Sequence, residues 1–264
     1  MIDYHIHSNF SADCETPMEK TIEIAIEKGF SEICFTEHID YDYPDSTITF
    51  EFNLDAYDQK IKAMQVAYAD RLAIKKGVEI GVQPHLLKQY DDLLRKESFD
   101  FIICSMHTTD RKTLHYGNLF KDRTTEEAFL KYYEELLYCA KHFNHYSVLG
   151  HLDLVKRYTK DNVNHDFHDL IEDIFKELIP KGKGIEINTS SFRYGMDTIM
   201  PSIDILKLYK KMGGEIITLG SDSHSETTLG YKFPLVLDIL KDLGFKYVTT
   251  FKKQEPIFHV VEKL

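Results

Sequence analysis

The chain has 264 residues, 43% of them hydrophobic and 28% charged, the balance of an ordinary globular protein large enough for one α/β barrel or two small domains. Its net charge of −11 disfavours an extended nucleic-acid partner, because an acidic surface repels a polyanion, and suits a protein that gathers cations. No apolar stretch has the length of a membrane span, the first residues (MIDYHIHS) lack the pattern of a signal peptide, and Cys14, Cys34, Cys104 and Cys139 are scattered without a CxxC pair, so no membrane and a reducing, cytoplasmic compartment are expected.

Along the chain, short apolar runs alternate with amphipathic stretches. A first strand is expected over residues 2–7, then a helix over 17–28. Thr16-Pro17-Met18-Glu19 supplies an N-cap, a proline at the first helical position and the glutamate of a capping box, and Gly29 ends the helix. A strand over 32–36 leads into the longest loop, 39–52, which carries Asp40, Asp42 and Asp45 together with aromatic residues and has the length of a loop that shapes a site. A helix over 54–70, a strand over 73–80, a helix over 84–96 and a strand over 101–106 follow. Beyond them come a helix over 125–142, a strand over 147–150, a helix over 165–180 and a strand over 184–188. The series ends with a helix over 202–212, closed by Gly213-Gly214, a strand over 215–220, a helix over 233–243 and a short strand over 246–251 that pairs late or closes the ring. Repeated strand–helix alternation predicts parallel strands with helical crossovers, and seven or eight such units predict a single barrel domain over 1–264.

The ends of these strands are rich in ligand-type residues: His5 and His7, Glu37 and His38, Glu79, His107, His151 and Asp153, Asp222 and His224. Parallel barrel strands all end on one face, where active sites form, so residues far apart in sequence converge. The period of two places His5 and His7 on one side of their strand, with Tyr4 and Ile6 on the other. Neutral imidazoles and carboxylates suit Zn, Fe or Mn, and a carboxylate can bridge two ions. Any single histidine at a strand end is more often a satisfied polar residue than a ligand, but six of the 13 histidines fall at expected strand ends. The other seven, His85, His115, His142, His145, His165, His168 and His259, read as solvated or helix-end residues. Arg157 and Arg193 stand just past strand ends, where their planar forks match phosphate oxygens, and Ser191 lies beside the second. Asp153 is read equally as the partner of an imidazole or as a helix cap, Glu37 as a core-edge or loop hydrogen-bonding group, and Tyr116-Gly117-Asn118 first as a turn, with a place in the pocket lining as the alternative.

HIHS at 5–8, TEH at 36–38, GVEIG at 77–81, SMHT at 105–108, GHLD at 150–153 and GSDSH at 220–224 occur in order and resemble the PHP (polymerase and histidinol phosphatase) superfamily, from about residue 2 to 230. The resemblance implies a distorted seven-stranded, TIM-like (β/α)7 barrel holding two or three divalent metal ions. Carried onto this chain, one ion takes His5, His7, Glu79 and Asp222. A second takes Glu79, His107 and His151, with Glu79 as the bridge, and a third takes Asp13, His38 and His224. Many relatives have histidine in place of Asp13. Two close cations lower the pKa of a bridging water and screen a phosphate's charge, so Glu79, Asp13 and His38 are expected to be catalytic, with the acid for the leaving alcohol left open among Asp13, His38 and a metal-bound water. Arg157, Arg193 and Ser191 are expected to bind a small phosphorylated substrate. Both arginines resemble basic positions of the histidinol-phosphatase branch, which implies hydrolysis of L-histidinol phosphate in histidine biosynthesis. The competing readings are a phosphoesterase of the same superfamily acting on nucleotides or nucleic-acid ends, and a non-catalytic metal-binding module.

Overall fold

The computed structural model describes residues 1–161 and 167–264. Seven strands, β1 (Ile2–Ile6), β2 (Glu32–Ile39), β3 (Ala73–Gly81), β4 (Phe101–Ser105), β7 (Val148–Leu149), β8 (Gly184–Asn188) and β9 (Ile217–Gly220), form one parallel sheet in the order β1-β2-β3-β4-β7-β8-β9. The sheet curls back on itself. Beyond β9 the chain bridges to the end of β1, where the His7 amide donates to the Ser223 carbonyl at 2.9 Å and the Ser223 amide to the His5 carbonyl at 3.3 Å. The result is a nearly closed barrel. Two-residue strands β5 (Thr108–Thr109) and β6 (Lys112–Thr113) make a hairpin after β4.

The helices are α1 (Met18–Glu27), α2 (Leu54–Ala67), α3 (Leu87–Leu94), α4 (Thr125–His142), α5 (His168–Leu178), α6 (Ile203–Lys211) and α7 (Phe233–Asp242). Their apolar stripes, such as Met18, Ile22 and Ala25 of α1 or Ile171, Ile174, Phe175 and Leu178 of α5, join the buried outer cluster with Ile33 and Phe35 of β2, Val78 and Ile80 of β3 and Ile185 and Ile187 of β8. Inside the barrel, Tyr4, Cys34, Phe101, Ile103, Val148 and Phe251 form a second, smaller apolar cluster. Burying a large side chain of this kind stabilises a fold by roughly 1.5–3 kcal/mol, so this cluster is a firm floor for the polar residues farther along the same strands. All four cysteines are free and buried.

Several expectations change. Strand β2 runs on to Ile39, so Glu37 and His38 belong to the strand itself. In β1 three residue steps (Asp3 to Ile6) oppose two in β2 (Ile33 to Phe35). This one-residue bulge breaks the simple alternation, and Tyr4 packs in the inner cluster while Ile6 packs in the outer one. The short strand expected over 246–251 does not close the ring. It is β10 (Tyr247–Lys252), paired antiparallel with β11 (Glu255–Val260) through a turn in which Lys253 and Gln254 both have positive φ. Phe251 of this hairpin plugs the barrel floor, and its carbonyl accepts from the Tyr4 hydroxyl at 3.2 Å. Thr16 does not cap α1, whose N-cap is Pro17 without a side-chain hydrogen bond. Its hydroxyl donates instead to the His224 carbonyl at 3.3 Å. The complete capping box lies at α4, between Thr124 and Glu127. The expected start of the fifth helix, with His165, lies outside the described residues.

Candidate active site

All nine expected ligand residues meet at the C-terminal mouth of the barrel. Strand β1 delivers His5, β2 His38 and β3 Glu79, while His7, His107, His151, Asp222 and His224 follow β1, β4, β7 and β9, and Asp13 comes from the β1–α1 connection. Glu79 sits at the centre and is fully buried. Its Oε2 lies 3.1 Å from His5 Nε2, 3.6 Å from His7 Nε2 and 2.9 Å from His38 Nδ1. Its Oε1 lies 3.3 Å from His107 Nε2, 3.0 Å from His151 Nε2 and 2.6 Å from the Ser105 hydroxyl. Asp222 Oδ1 faces the first two histidines at 3.7 and 3.6 Å. At the outer edge, Asp13 Oδ2 is 3.3 Å from His224 Nε2 and 3.7 Å from His38 Nε2.

The ring orientations are set by groups behind the cluster. His5 Nδ1 meets Glu186 at 2.6 Å, His107 Nδ1 meets Asp40 at 2.7 Å, His7 Nδ1 meets the Ser11 hydroxyl at 3.0 Å, and His224 Nδ1 meets the Asp222 carbonyl at 3.1 Å. The Ser11 hydroxyl itself donates to Glu37 at 2.6 Å, so it accepts from His7. These networks place a proton on Nδ1 and leave the Nε2 lone pairs turned inward. With the rings neutral, as a bound cation requires, His5 Nε2, His7 Nε2 and Glu79 Oε2 are buried acceptors without a hydrogen-bond partner. Buried polar atoms of this kind are costly unless satisfied, and three of them converging on one point fit a cation. Three ligand groups, His5–His7–Asp222, His38–Glu79–His107 and His7–His38–His224, each keep their donor atoms within 4.8 Å of one another. The donor set is mixed nitrogen and oxygen, which suits Zn, Fe or Mn.

Electrostatics tie the cluster together. Burial opposes charge on His5, His38, His107, Glu79, Asp222 and Asp13, and the neighbours outweigh it. Glu186, Glu79 and Asp222 hold His5 well above the usual imidazole range, Asp40 and Glu79 do the same for His107, and Glu79 and Asp13 raise His38 to about 9. His7 is pushed well down, by burial and by the imidazoles of His224 and His38. Glu79 and Asp222 lie well below the carboxylate range despite burial, because His5 and other imidazoles surround them. Asp13 falls to about 2 beside His38 and His224.

The cluster floors a cavity of about 610 Å³, within the range of small-molecule sites. Arg157 and Arg193 line it. The Arg157 guanidinium stacks 4.2 Å from the Tyr194 ring centre, donates to the Ser190 hydroxyl and lies 3.7 Å from Asp222 Oδ2. Arg193 donates from Nη1 and Nη2 to the carbonyls of Ser221 and Asp222, both at 2.7 Å. It thereby pins the turn in which Asp222 takes a φ of +53°, a conformation a non-glycine residue holds only when its surroundings enforce it. Gly220 opens this region: a Cβ there would lie 1.9 Å from Glu186 Oε1 and 2.6 Å from His5 Cβ.

Other expectations are corrected. Ser191 is fully buried, is absent from the cavity lining and leaves its hydroxyl unpaired. Its neighbour Ser190, also buried and outside the lining, reaches Asp222 Oδ2 at 3.0 Å, and the serine that lines the cavity is Ser225. Asp153 neither orients an imidazole nor caps the following turn. Its Oδ2 accepts from the Ser202 amide and from Lys156, both at 3.0 Å, tying β7 to the start of α6. Glu37 is the hydrogen-bonding group expected, accepting from Ser8 and Ser11. His115 lines the cavity although it reads as solvated, and Tyr116 lines it as the alternative reading of its turn expects. Sequence reasoning missed Glu186 and Asp40. The signal for Glu186 was a carboxylate inside the apolar run GIEIN; Asp40 was one acid among several in its loop.

Among the described residues, no helix is long and apolar enough to cross a membrane. The family model for the PHP domain matches residues 3–190. A histidinol-phosphatase of Lactococcus lactis subsp. lactis is 34% identical over 255 residues, covering 95% of this chain and 94% of the relative. A probable histidinol-phosphatase of Clostridium acetobutylicum is 28% identical, covering 94% and 96%. The crystal structure of a histidinol phosphate phosphatase from L. lactis subsp. lactis, complexed with zinc, L-histidinol and phosphate, aligns with a TM-score of 0.86 at 32% identity, covering 97% of this chain and 98% of that one. The barrel, its ligand-lined mouth and these matches agree, and the chain belongs to the PHP domain family, on its histidinol-phosphatase branch.

Proposed function

We propose that this chain hydrolyses L-histidinol phosphate to L-histidinol and phosphate with two or three divalent cations, zinc first among them. The observation that carries this reading is Glu79, buried with both carboxylate oxygens ringed by five imidazoles under a cavity that two arginines line. His5, His7, Glu79 and Asp222 hold one cation, Glu79 with His107 and His151 a second, and Asp13, His38 and His224 a third. When bound, the cations activate water for attack on phosphorus and neutralise the phosphate oxygens. Arg157 binds the phosphate from the wall, its guanidinium already fixed by Tyr194 and Ser190. Arg193 adds positive charge and keeps Asp222 in its turn. Glu79 holds the centre of the cluster, and Asp13 and His38 stand toward its outer edge, where the leaving alcohol takes up a proton. The zinc and L-histidinol named with the L. lactis structure support the choice of metal and substrate. The test is phosphate release by zinc-, iron- and manganese-loaded protein from histidinol phosphate, nucleoside monophosphates and 5′-phosphorylated single-stranded DNA. A kcat/KM for histidinol phosphate at least a hundredfold above the others is expected, and equal or better turnover of a nucleotide overturns the assignment.

A further inference from the structure

The part of the cavity lining that comes from the loop after β2 has a chemistry of its own. Five carboxylates line the cavity: Asp13, Asp40, Asp45, Glu79 and Asp222. Four are committed to imidazoles of the cluster, at 3.3 Å (Asp13–His224), 2.7 Å (Asp40–His107), 2.9 Å (Glu79–His38) and 3.6 Å (Asp222–His7). Asp45, in the loop after β2, is different. Its Oδ1 accepts from the Thr47 amide at 3.0 Å and the Thr47 hydroxyl at 2.6 Å, which hold the carboxyl below its usual range. Among the described residues it forms no ion pair with a lysine, arginine or histidine, and Oδ2 has no partner.

Tyr43, Phe50 and Tyr158 line the cavity together with Asp45. Tyr43 is anchored by its hydroxyl to Thr113 Oγ1 at 2.9 Å and packs edge-on against Phe50 with ring centres 4.9 Å apart. Phe50 in turn packs 5.1 Å from the His38 ring. The wall is therefore built directly onto the metal-ligand cluster. His115, whose charge also lowers the Asp45 carboxyl, and Tyr158 line the same opening. A leaving alcohol that carries an ammonium on the carbon next to its carbinol and an imidazole one methylene farther on needs such a surface: an unpaired carboxylate for the cation and ring faces for the heterocycle.

Resting on the histidinol phosphate reading, we infer that Asp45, with Tyr43 and Phe50, forms the leaving-group subsite, in which Asp45 Oδ2 accepts from the substrate ammonium and the aromatic wall holds the imidazole. The subsite sets specificity; the cluster and Arg157 set the chemistry.

The experiment compares histidinol phosphate with the phosphate ester of 3-(imidazol-4-yl)propan-1-ol, the same molecule without its amine, on metal-loaded wild type, Asp45→Asn and Asp45→Glu. The amide oxygen introduced by Asp45→Asn still accepts from Thr47, so the turn is kept. The readout is the ratio of the two kcat/KM values, which losses of metal or of folded protein leave unchanged. Asp45→Asn is expected to lower this ratio by about ten- to a hundredfold, the worth of a charged hydrogen bond, chiefly through KM for histidinol phosphate, and Asp45→Glu to recover part of it. A ratio unchanged in Asp45→Asn, with wild type preferring histidinol phosphate, overturns the subsite alone. A wild type that hydrolyses 4-nitrophenyl phosphate as well as histidinol phosphate overturns the substrate assignment, and the subsite with it.

Discussion

Replacing Glu79 by glutamine keeps the size of the side chain and removes one unit of charge from the centre of the cluster. Five ring nitrogens lie 2.9–3.6 Å from the two carboxylate oxygens, so a cation held by those nitrogens is in direct contact with the carboxylate as well. A pair of unit charges 4 Å apart interacts by about 4 kcal/mol at an effective dielectric constant of 20, which is a factor of about a thousand in affinity. Because Glu79 touches both the His5–His7 side and the His107–His151 side, the loss applies to two ions together. Glu79→Gln is therefore expected to lose more than one metal per chain after gel filtration, read by elemental analysis, and to lower kcat/KM on histidinol phosphate by at least about a thousandfold. Circular dichroism checks that the barrel is intact, as the inner apolar cluster is untouched by the change. Full metal content with a near-normal rate would refute the bridging role.

Asp13→Ala is expected to lose about one metal and keep the other two, because Asp13 touches only His38 and His224 at the outer edge; loss of all metal from a folded variant contradicts this division. The two arginines separate by stability. Arg157→Ala lowers kcat/KM by about ten- to a hundredfold with little change in melting temperature, whereas Arg193→Ala also melts earlier, since it removes two charged hydrogen bonds from the Ser221–Asp222 turn, each worth roughly 1.5–3 kcal/mol; equal melting of both variants counts against the pinning role. Metal uptake releases protons at pH 7, because His38, with a folded pKa of about 9, and His5 and His107, raised well above the usual range, are protonated in the metal-free chain while a ligand imidazole must be neutral. Affinity therefore rises with pH from 6 to 9, and calorimetry in buffers of different ionisation enthalpy that detects no proton release contradicts the direction of these shifts.

The barrel was legible because its two periods are strong: apolar runs at strand length, helical stripes, and ligand residues where each run stops. The site was legible because parallel strands deliver their ends to one face, so six short motifs converge without any long-range information. What stayed hidden depends on geometry that sequence does not encode locally. The β1 bulge shifts Tyr4 inward through a register mismatch with β2. The β10–β11 turn uses Lys253 and Gln254 at positive φ, where glycine or asparagine is the usual signal. Thr16 satisfies a carbonyl brought in from residue 224 rather than its own helix. Asp153 finds an amide 49 residues away, and the tight coil after β8 turns Ser190 rather than Ser191 toward Asp222. Glu186 and Asp40 act through the far nitrogen of a ligand histidine, a role visible only once the rings are oriented.

The central claim is that the histidine–carboxylate cluster is a metal centre that hydrolyses histidinol phosphate. It is tested most directly by measuring phosphate release from L-histidinol phosphate before chelation, after removal of all metal, and after restoring zinc, iron or manganese ion by ion. The account predicts that activity disappears in the metal-free protein and returns only when more than one ion per chain is bound. Undiminished hydrolysis by the metal-free chain, or none from the fully loaded one, would contradict it.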